Sequence, residues 1–81
     1  NEKLKIYPNP ASQSITIEFS GNLAVAFIDL TNAKGQVLKS YSPTGKISSF
    51  KIDVSDVASG FYIIKVKTSD NAITRKVLIN R

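Results

Sequence analysis

SITIEFSGNLAVAFIDLT, residues 14 to 31, is the stretch whose reading decides the fold. In its first third Ile15, Ile17 and Phe19 are apolar, and Ser14, Thr16 and Glu18 between them are polar. Alternation at period two marks a half-buried β-strand, because successive side chains leave a strand on opposite faces. Ser20-Gly21-Asn22 is turn chemistry and predicts a break there. The run from Leu23 to Thr31 is apolar on both faces, which predicts a strand in the middle of a sheet. The stretch thus supplies two strands joined by a tight turn, with Phe19 and Phe27 both expected in the core.

The same rhythm extends in both directions. Upstream, Leu4-Lys5-Ile6-Tyr7 is a short strand that runs into Pro8-Asn9-Pro10. Proline has no N–H to give a ladder and forces the preceding residue to be extended, so this strand is expected at a sheet edge, with the prolines ending its pairing. Downstream, Asn32-Ala33-Lys34-Gly35 predicts a tight hairpin with Gly35 at positive φ. Strands follow at 36–41 and 47–54, separated by the turn Ser42-Pro43-Thr44-Gly45. In the second of them Phe50, Ile52 and Val54 share a face. Ser55 to Gly60 predicts a single helical turn capped by Ser55, with Val57 dipping into the core and Gly60 leaving at positive φ. Phe61 to Thr68 and Ala72 to Asn80 are the last two strands. No stretch carries a helical period. The fold class is therefore all-β, a seven-stranded antiparallel β-sandwich with no significant helix.

The final hairpin decides which side chains meet solvent. A turn at Ser69-Asp70-Asn71 that pairs Val66 with Thr74 puts Lys65 opposite Arg75 and Lys67 opposite Ile73. It also puts Ile63 opposite Val77 and Phe61 opposite Ile79. The other face holds Tyr62, Ile64, Val66 and Leu78, and either face suits the core; the reading with Tyr62, Ile64 and Val66 inward is favoured because it keeps the cations in water. Like charges directly opposite each other destabilise a sheet, so a cationic cluster kept at that cost is a candidate for recognition by a partner.

Composition removes most chemistry. The 81 residues suit one domain, and cysteine and histidine are both absent. That excludes disulfides, thiolate sites and the commonest general base and metal ligand. Serines are plentiful, but they have no histidine beside them and no Gly-x-Ser-x-Gly elbow. The six carboxylates, Glu2, Glu18, Asp29, Asp53, Asp56 and Asp70, lie on separate strands and turns. A calcium site around Asp53, Ser55 and Asp56 has too few oxygens, and Asp56 fits better in the little helical turn. No cofactor is expected, and the chain is read as non-enzymatic. No run approaches the roughly 20 apolar residues of a membrane helix, so stable membrane insertion is not expected.

Charge is the remaining signal. Of the net +5, the segment from Gly60 onward carries +4. A basic surface attracts nucleic acid, anionic lipid or acidic protein, or only solubilises. Seven sandwich strands with no reading helix argue against nucleic acid. Tyr41, sharing a face with Lys39, is the one aromatic expected in solvent, a thin basis for a sugar platform.

The order of three blocks resembles the C-terminal sorting domain (type A) of the bacterial type IX secretion system, the Por secretion sorting signal family. Tyr7-Pro8-Asn9-Pro10 with Ser14-Ile15-Thr16-Ile17 resembles the opening block. Ile28-Asp29-Leu30 followed by Asn32 to Val37, with Gly35, resembles the central hairpin. Val54 to Val66, with Gly60 and Tyr62, resembles the Gly-x-Tyr block, and Arg75-Lys76-Val77-Leu78-Ile79 the basic end.

The resemblance implies an Ig-like sandwich that is a delivery signal, not an enzyme. It implies a cargo fused at the N-terminus and a single C-terminal sorting domain over residues 1–81, of which residues 1–3 are a remnant of the upstream linker. The implied partners are components of the type IX translocon and a sortase-like peptidase that cuts upstream of Asn1. The implied route is periplasm in transit, then cell surface or medium. Under this reading the recognition residues are Lys65, Lys67, Arg75, Lys76, Val77, Leu78 and Ile79. Pro8, Asn9, Pro10, Asp29, Gly35, Gly60 and Tyr62 are structural. The alternative is an Ig- or fibronectin-like adhesion or carbohydrate-binding module of a larger secreted enzyme.

Overall fold

A computed structural model of the chain describes residues 4–8 and 12–80. Six strands appear among them: β1 (Leu4–Tyr7), β2 (Ser14–Asn32), β3 (Val37–Tyr41), β4 (Lys46–Asp53), β5 (Gly60–Thr68) and β6 (Ala72–Ile79). There is no helix among the described residues. The fold is an all-β, antiparallel sandwich, as the alternation predicts, but with six strands and not seven.

The count differs because β2 does not break at Ser20-Gly21-Asn22. It runs through these residues for 19 positions. Gly21 takes φ +96, and the register to β4 jumps between Glu18 and Leu23. The turn residues serve here as a long bulge, which bends a strand without ending it. The bend lets one strand serve two sheets. The first half of β2 pairs with β1 and β4 in sheet A. The second half pairs with β3 and β5, and β5 with β6, in sheet B, giving the order β3-β2-β5-β6. Leu23 to Thr31 is thus central in sheet B, in keeping with its two apolar faces. β1 pairs only with β2 among the described residues and stops at Pro8, in keeping with its expected place at an edge. Asn9 and Pro10, and the linker remnant at residues 1–3, lie outside the described residues.

One core lies between the sheets. Leu4, Ile15, Ile17, Phe19 and Ile52 enter it from sheet A, and Val25, Ile28, Leu30, Ile64, Val66, Val77 and Ile79 from sheet B. No polar or charged residue is buried among the described residues. Burying an unpaired polar group costs free energy, so this small core relies on aliphatic packing alone. Phe27 is a correction. A bulge between Val25 and Phe27 inserts Ala26 and shifts the alternation by one position. Val25 and Ile28 therefore point inward, and Phe27 lies on the outer face opposite Lys67. Tyr41 is a second correction: it packs against the core, its ring centroid 5.1 Å from that of Phe50.

The turns follow their residue chemistry. In the β2–β3 hairpin Gly35 takes φ +90, and the Asn32 carboxamide oxygen accepts from the Lys34 and Gln36 backbone N–H groups. Between β4 and β5 the cap is Asp53 and not Ser55: its carboxylate accepts the Ser55 N–H at 2.9 Å. The Val57 N–H then reaches the Val54 carbonyl, which turns the chain and puts Val57 in the core.

Candidate functional site

Sheet B turns four strands' worth of side chains away from the core, and the register sets their neighbours. The last hairpin corrects the expected pairing by one residue. Lys67 pairs with Ala72, so the turn comprises four residues, Thr68 to Asn71. Thr68 closes it: its N–H bonds the Asn71 carbonyl at 2.8 Å, and its hydroxyl oxygen accepts the Asn71 N–H at 3.0 Å. Reading Thr68 as a strand residue shortens the turn by one and shifts every pair. Lys65 faces Thr74, Ile63 faces Lys76, Phe61 faces Leu78 and Tyr62 faces Val77. The opposed Lys65–Arg75 pair does not form.

The one-residue shift exchanges the faces of β6, because side chains alternate with period two. Val77 and Ile79 are 2% and 0% exposed and belong to the core. Arg75 shares their face, half-buried at the edge beside Ile64, with a guanidinium N–H donating to the Thr74 carbonyl at 2.9 Å. The outer face takes Thr74, Lys76 and Leu78 from β6 and Phe61, Ile63, Lys65 and Lys67 from β5. Tyr62, Ile64 and Val66 point inward, as expected.

Across β2 the rows continue. Lys65 lies between Asp29 and Thr74, Ile63 between Thr31 and Lys76, and Lys67 between Phe27 and Ala72. Asp29 is the only acid in these rows, and its carboxylate accepts a 2.6 Å hydrogen bond from Ser40 on β3. Lys76 lies over the Phe61 ring, its ammonium 4.9 Å from the centroid, a cation–π contact. Phe61 is nonetheless 56% exposed. At the far edge, Leu38 is an extra residue in the β3 register, and this bulge leaves Val37 and Leu38 in solvent. The result is a surface on which Phe27, Ile63, Phe61 and Leu78 alternate with three lysines. A shallow groove of about 370 Å³ at its Phe61 end is lined by Ala33, Phe61, Ile63, Thr74 and Lys76, with Tyr62 and Arg75 also on its wall.

The corner from sheet A into sheet B is held by side chains on β3 and β5. Tyr62 points inward and its hydroxyl donates to the Ala58 carbonyl at 2.7 Å. A tyrosine bonding back to the chain a few residues upstream is a known corner device of Ig-type sandwiches. Gly60 takes φ +152, a conformation open to glycine and strained for other residues. Lys39, on the edge strand of sheet B, reaches across the gap between the sheets. Its ammonium donates to the Asp53 carbonyl and to the Asp56 carboxylate, the latter at 2.8 Å. The Asp56 hydrogen bond raises the Lys39 pKa, and the same bond lowers that of Asp56. The Asp53 carboxyl is lowered mainly by the Ser55 backbone N–H. These acids thus have partners within the fold, and no group of acids able to hold a metal occurs among the described residues. No helix of the described residues is long and apolar enough to cross a membrane.

Of the residues singled out in the sequence, the structure brings Lys65, Lys67, Lys76 and Leu78 together on one face. It sends Val77 and Ile79 to the core and Arg75 to the inner side of the edge. Asp29 lies among the lysines, Gly35 and Gly60 make turns, Tyr62 holds the corner, and Pro8 follows β1. Phe61 and Ile63 lie outside the recognition set read from the sequence, yet the alternation Phe61, Ile63, Lys65, Lys67 puts all four on one side. Compared with known families, residues 5–80 match the family described as the secretion system C-terminal sorting domain. No curated protein matches the chain.

Proposed function

The chain belongs to the type IX secretion system C-terminal sorting domains, and from that premise we propose that it is a non-catalytic signal whose outer sheet B face is read by the translocon. The cargo is fused ahead of Asn1. Once across the outer membrane, a sortase-like peptidase cuts the linker upstream of the folded domain, and the cargo reaches the cell surface or the medium. No cofactor takes part.

The observation that carries this reading is the outer face of sheet B. Lys65, Lys67 and Lys76 stand among Phe61, Ile63 and Leu78, and the rows between them hold one acid, Asp29. Charge steers encounters and exposed apolar side chains give the contact area that holds a partner. Leu78 contributes from the family's basic end, and Arg75 adds positive charge at the edge.

Fusion of residues 1–81 to the C-terminus of a periplasm-directed reporter tests the role. Surface or medium delivery is expected in a strain with the type IX translocon and is expected to vanish in a strain lacking it. Delivery without the translocon, or retention in a competent strain, would overturn the proposal.

A further inference from the structure

The groove at the Phe61 end of sheet B points to a specific partner chemistry, and we infer that it takes an acidic, apolar segment of a partner protein. The inference rests on the recognition role of that face and names what the face recognises. An apolar side chain of the partner lies against Phe61 and Ile63, and a neighbouring carboxylate meets Lys76. Lys65 and Lys67 extend the acidic preference along the strand.

Three observations favour this occupant. First, at about 370 Å³ the groove is at the small end of ligand pockets, and it is shallow, so it suits one or two side chains projecting from a surface. Second, charge is complementary to an acid. Lys76 is held over the Phe61 ring, so the cation and the apolar wall form one unit, and Asp29 already has Ser40 as a donor. A second copy of the chain, at net +5, would meet the face with like charge. Third, apolar and cationic residues interleave. Lys76 faces Ile63 across the strands and covers Phe61. A membrane-docking element keeps its cations on the face opposite the apolar one, which sinks about 5–10 Å into the boundary of the acyl layer. Here the hairpin that brings Ala33 to this end also carries exposed Lys34, which would have to enter the acyl layer.

The probe is a synthetic peptide alternating leucine with glutamate, titrated into the isotope-labelled 81-residue chain and followed by backbone amide shifts. Shifts are expected to concentrate at Phe61, Ile63, Thr74 and Lys76, and the affinity to fall with added salt. Lys76→Glu and Phe61→Ser are each expected to weaken binding at least tenfold, and Lys51→Glu on the opposite sheet to leave it unchanged. A folded chain that ignores the peptide, binds its glutamine version equally well, or shows shifts spread over both sheets would overturn the inference. So would binding to phosphatidylglycerol vesicles in place of the peptide. Because binding is read on the purified chain, its failure is separable from failure of export: a reporter still exported by the Lys76→Glu, Phe61→Ser variant would remove the groove and leave the sorting role.

Discussion

The outer face of sheet A carries Lys5, Tyr7, Thr16, Glu18, Ser49 and Lys51, while that of sheet B carries Phe27, Phe61, Ile63 and Leu78 with Lys65, Lys67 and Lys76. Both faces arise from the same alternating backbone over the same core. On sheet A the charges are of both signs and sit near each other. Lys5 lies opposite Glu18, and the Tyr7 hydroxyl donates to Glu18 at 3.1 Å, which raises the tyrosine pKa. That is how a face looks when its only task is to stay in water. On sheet B, exposed Phe61 and half-buried Phe27, Ile63 and Leu78 lie among lysines, a pattern that solubility does not call for. Packing accounts equally well for both sheets, so it does not explain the difference. A partner does.

The largest expected effect tests this contrast directly. Changing Lys65, Lys67, Arg75 and Lys76 to glutamine is expected to leave a folded domain and to bring reporter export down to background. Changing Lys5, Lys46 and Lys51 to glutamine on the other sheet is expected to leave export as it is. Circular dichroism and urea unfolding check the fold of both sets. Equal export by two folded variants would erase the distinction between the faces.

A second effect separates the faces from the corner that joins their sheets. Gly60→Val forces a β-branched residue into φ +152. An added Cβ meets the Tyr62 ring at an ordinary 3.6 Å, so the cost is backbone strain and not a clash. It is expected to lower the unfolding free energy by about 1–3 kcal/mol. Scaling by length gives the domain roughly 4–12 kcal/mol in total, so the variant folds. Denaturant unfolding measures the loss. Export at a temperature where the variant is folded is expected to match the parent, because neither outer face has changed.

Much of this contrast is legible in the sequence, and the parts that are not share one cause. Alternation in Ser14 to Phe19 and in Phe50 to Val54 places the core residues of sheet A, and Gly35 and Gly60 mark turns whose φ values follow. What alternation cannot show is where its phase slips. Ala26 inserts one residue and moves Phe27 outside. Leu38 does the same at the edge and leaves two apolar residues in solvent. Thr68, expected in the strand, joins the last turn and lengthens it by one, which puts Lys76 and Leu78 on the outer face in place of Val77 and Ile79. At Ala26 and Leu38 the pairing with distant strands decides the phase, at Thr68 the turn's bonds to Asn71 do, and a single extra residue carries no compositional mark. Ser20-Gly21-Asn22 has the opposite ambiguity: the same residues suit a turn or a bend, and only the pairing of β4 on both sides of the bend keeps β2 whole. Lys39 likewise gives no local sign that it will meet Asp56, 17 positions along the chain.

The smallest expected effect concerns that lysine, which fastens the edge of sheet B to the corner leaving sheet A. Asp53 and Asp56 have pKa values below the ordinary 3.8 in the folded chain, Asp53 mainly through the Ser55 N–H and Asp56 mainly through Lys39. A carboxyl lowered by folding stabilises the fold above its unfolded value, and that contribution disappears as pH falls through the folded value. The acid limb of the stability profile should therefore steepen below about pH 3.8. Lys39 is raised above the ordinary 10.5 by the Asp56 hydrogen bond. Its contribution is complete below 10.5 and is lost as pH rises through the higher folded value. Between these limits the strap's contribution is constant, and its exposure keeps it small and salt-sensitive. Urea midpoints of the parent and of Asp56→Asn, measured from pH 2 to 7, should differ most at pH 7 and converge toward pH 2. Lys39→Met should show the same convergence in acid, and relative to it the parent should also lose its advantage above pH 10.5. Parallel profiles with no convergence would mean that the strap does not link the sheets in solution, and that sheet B holds its outer face in position without it.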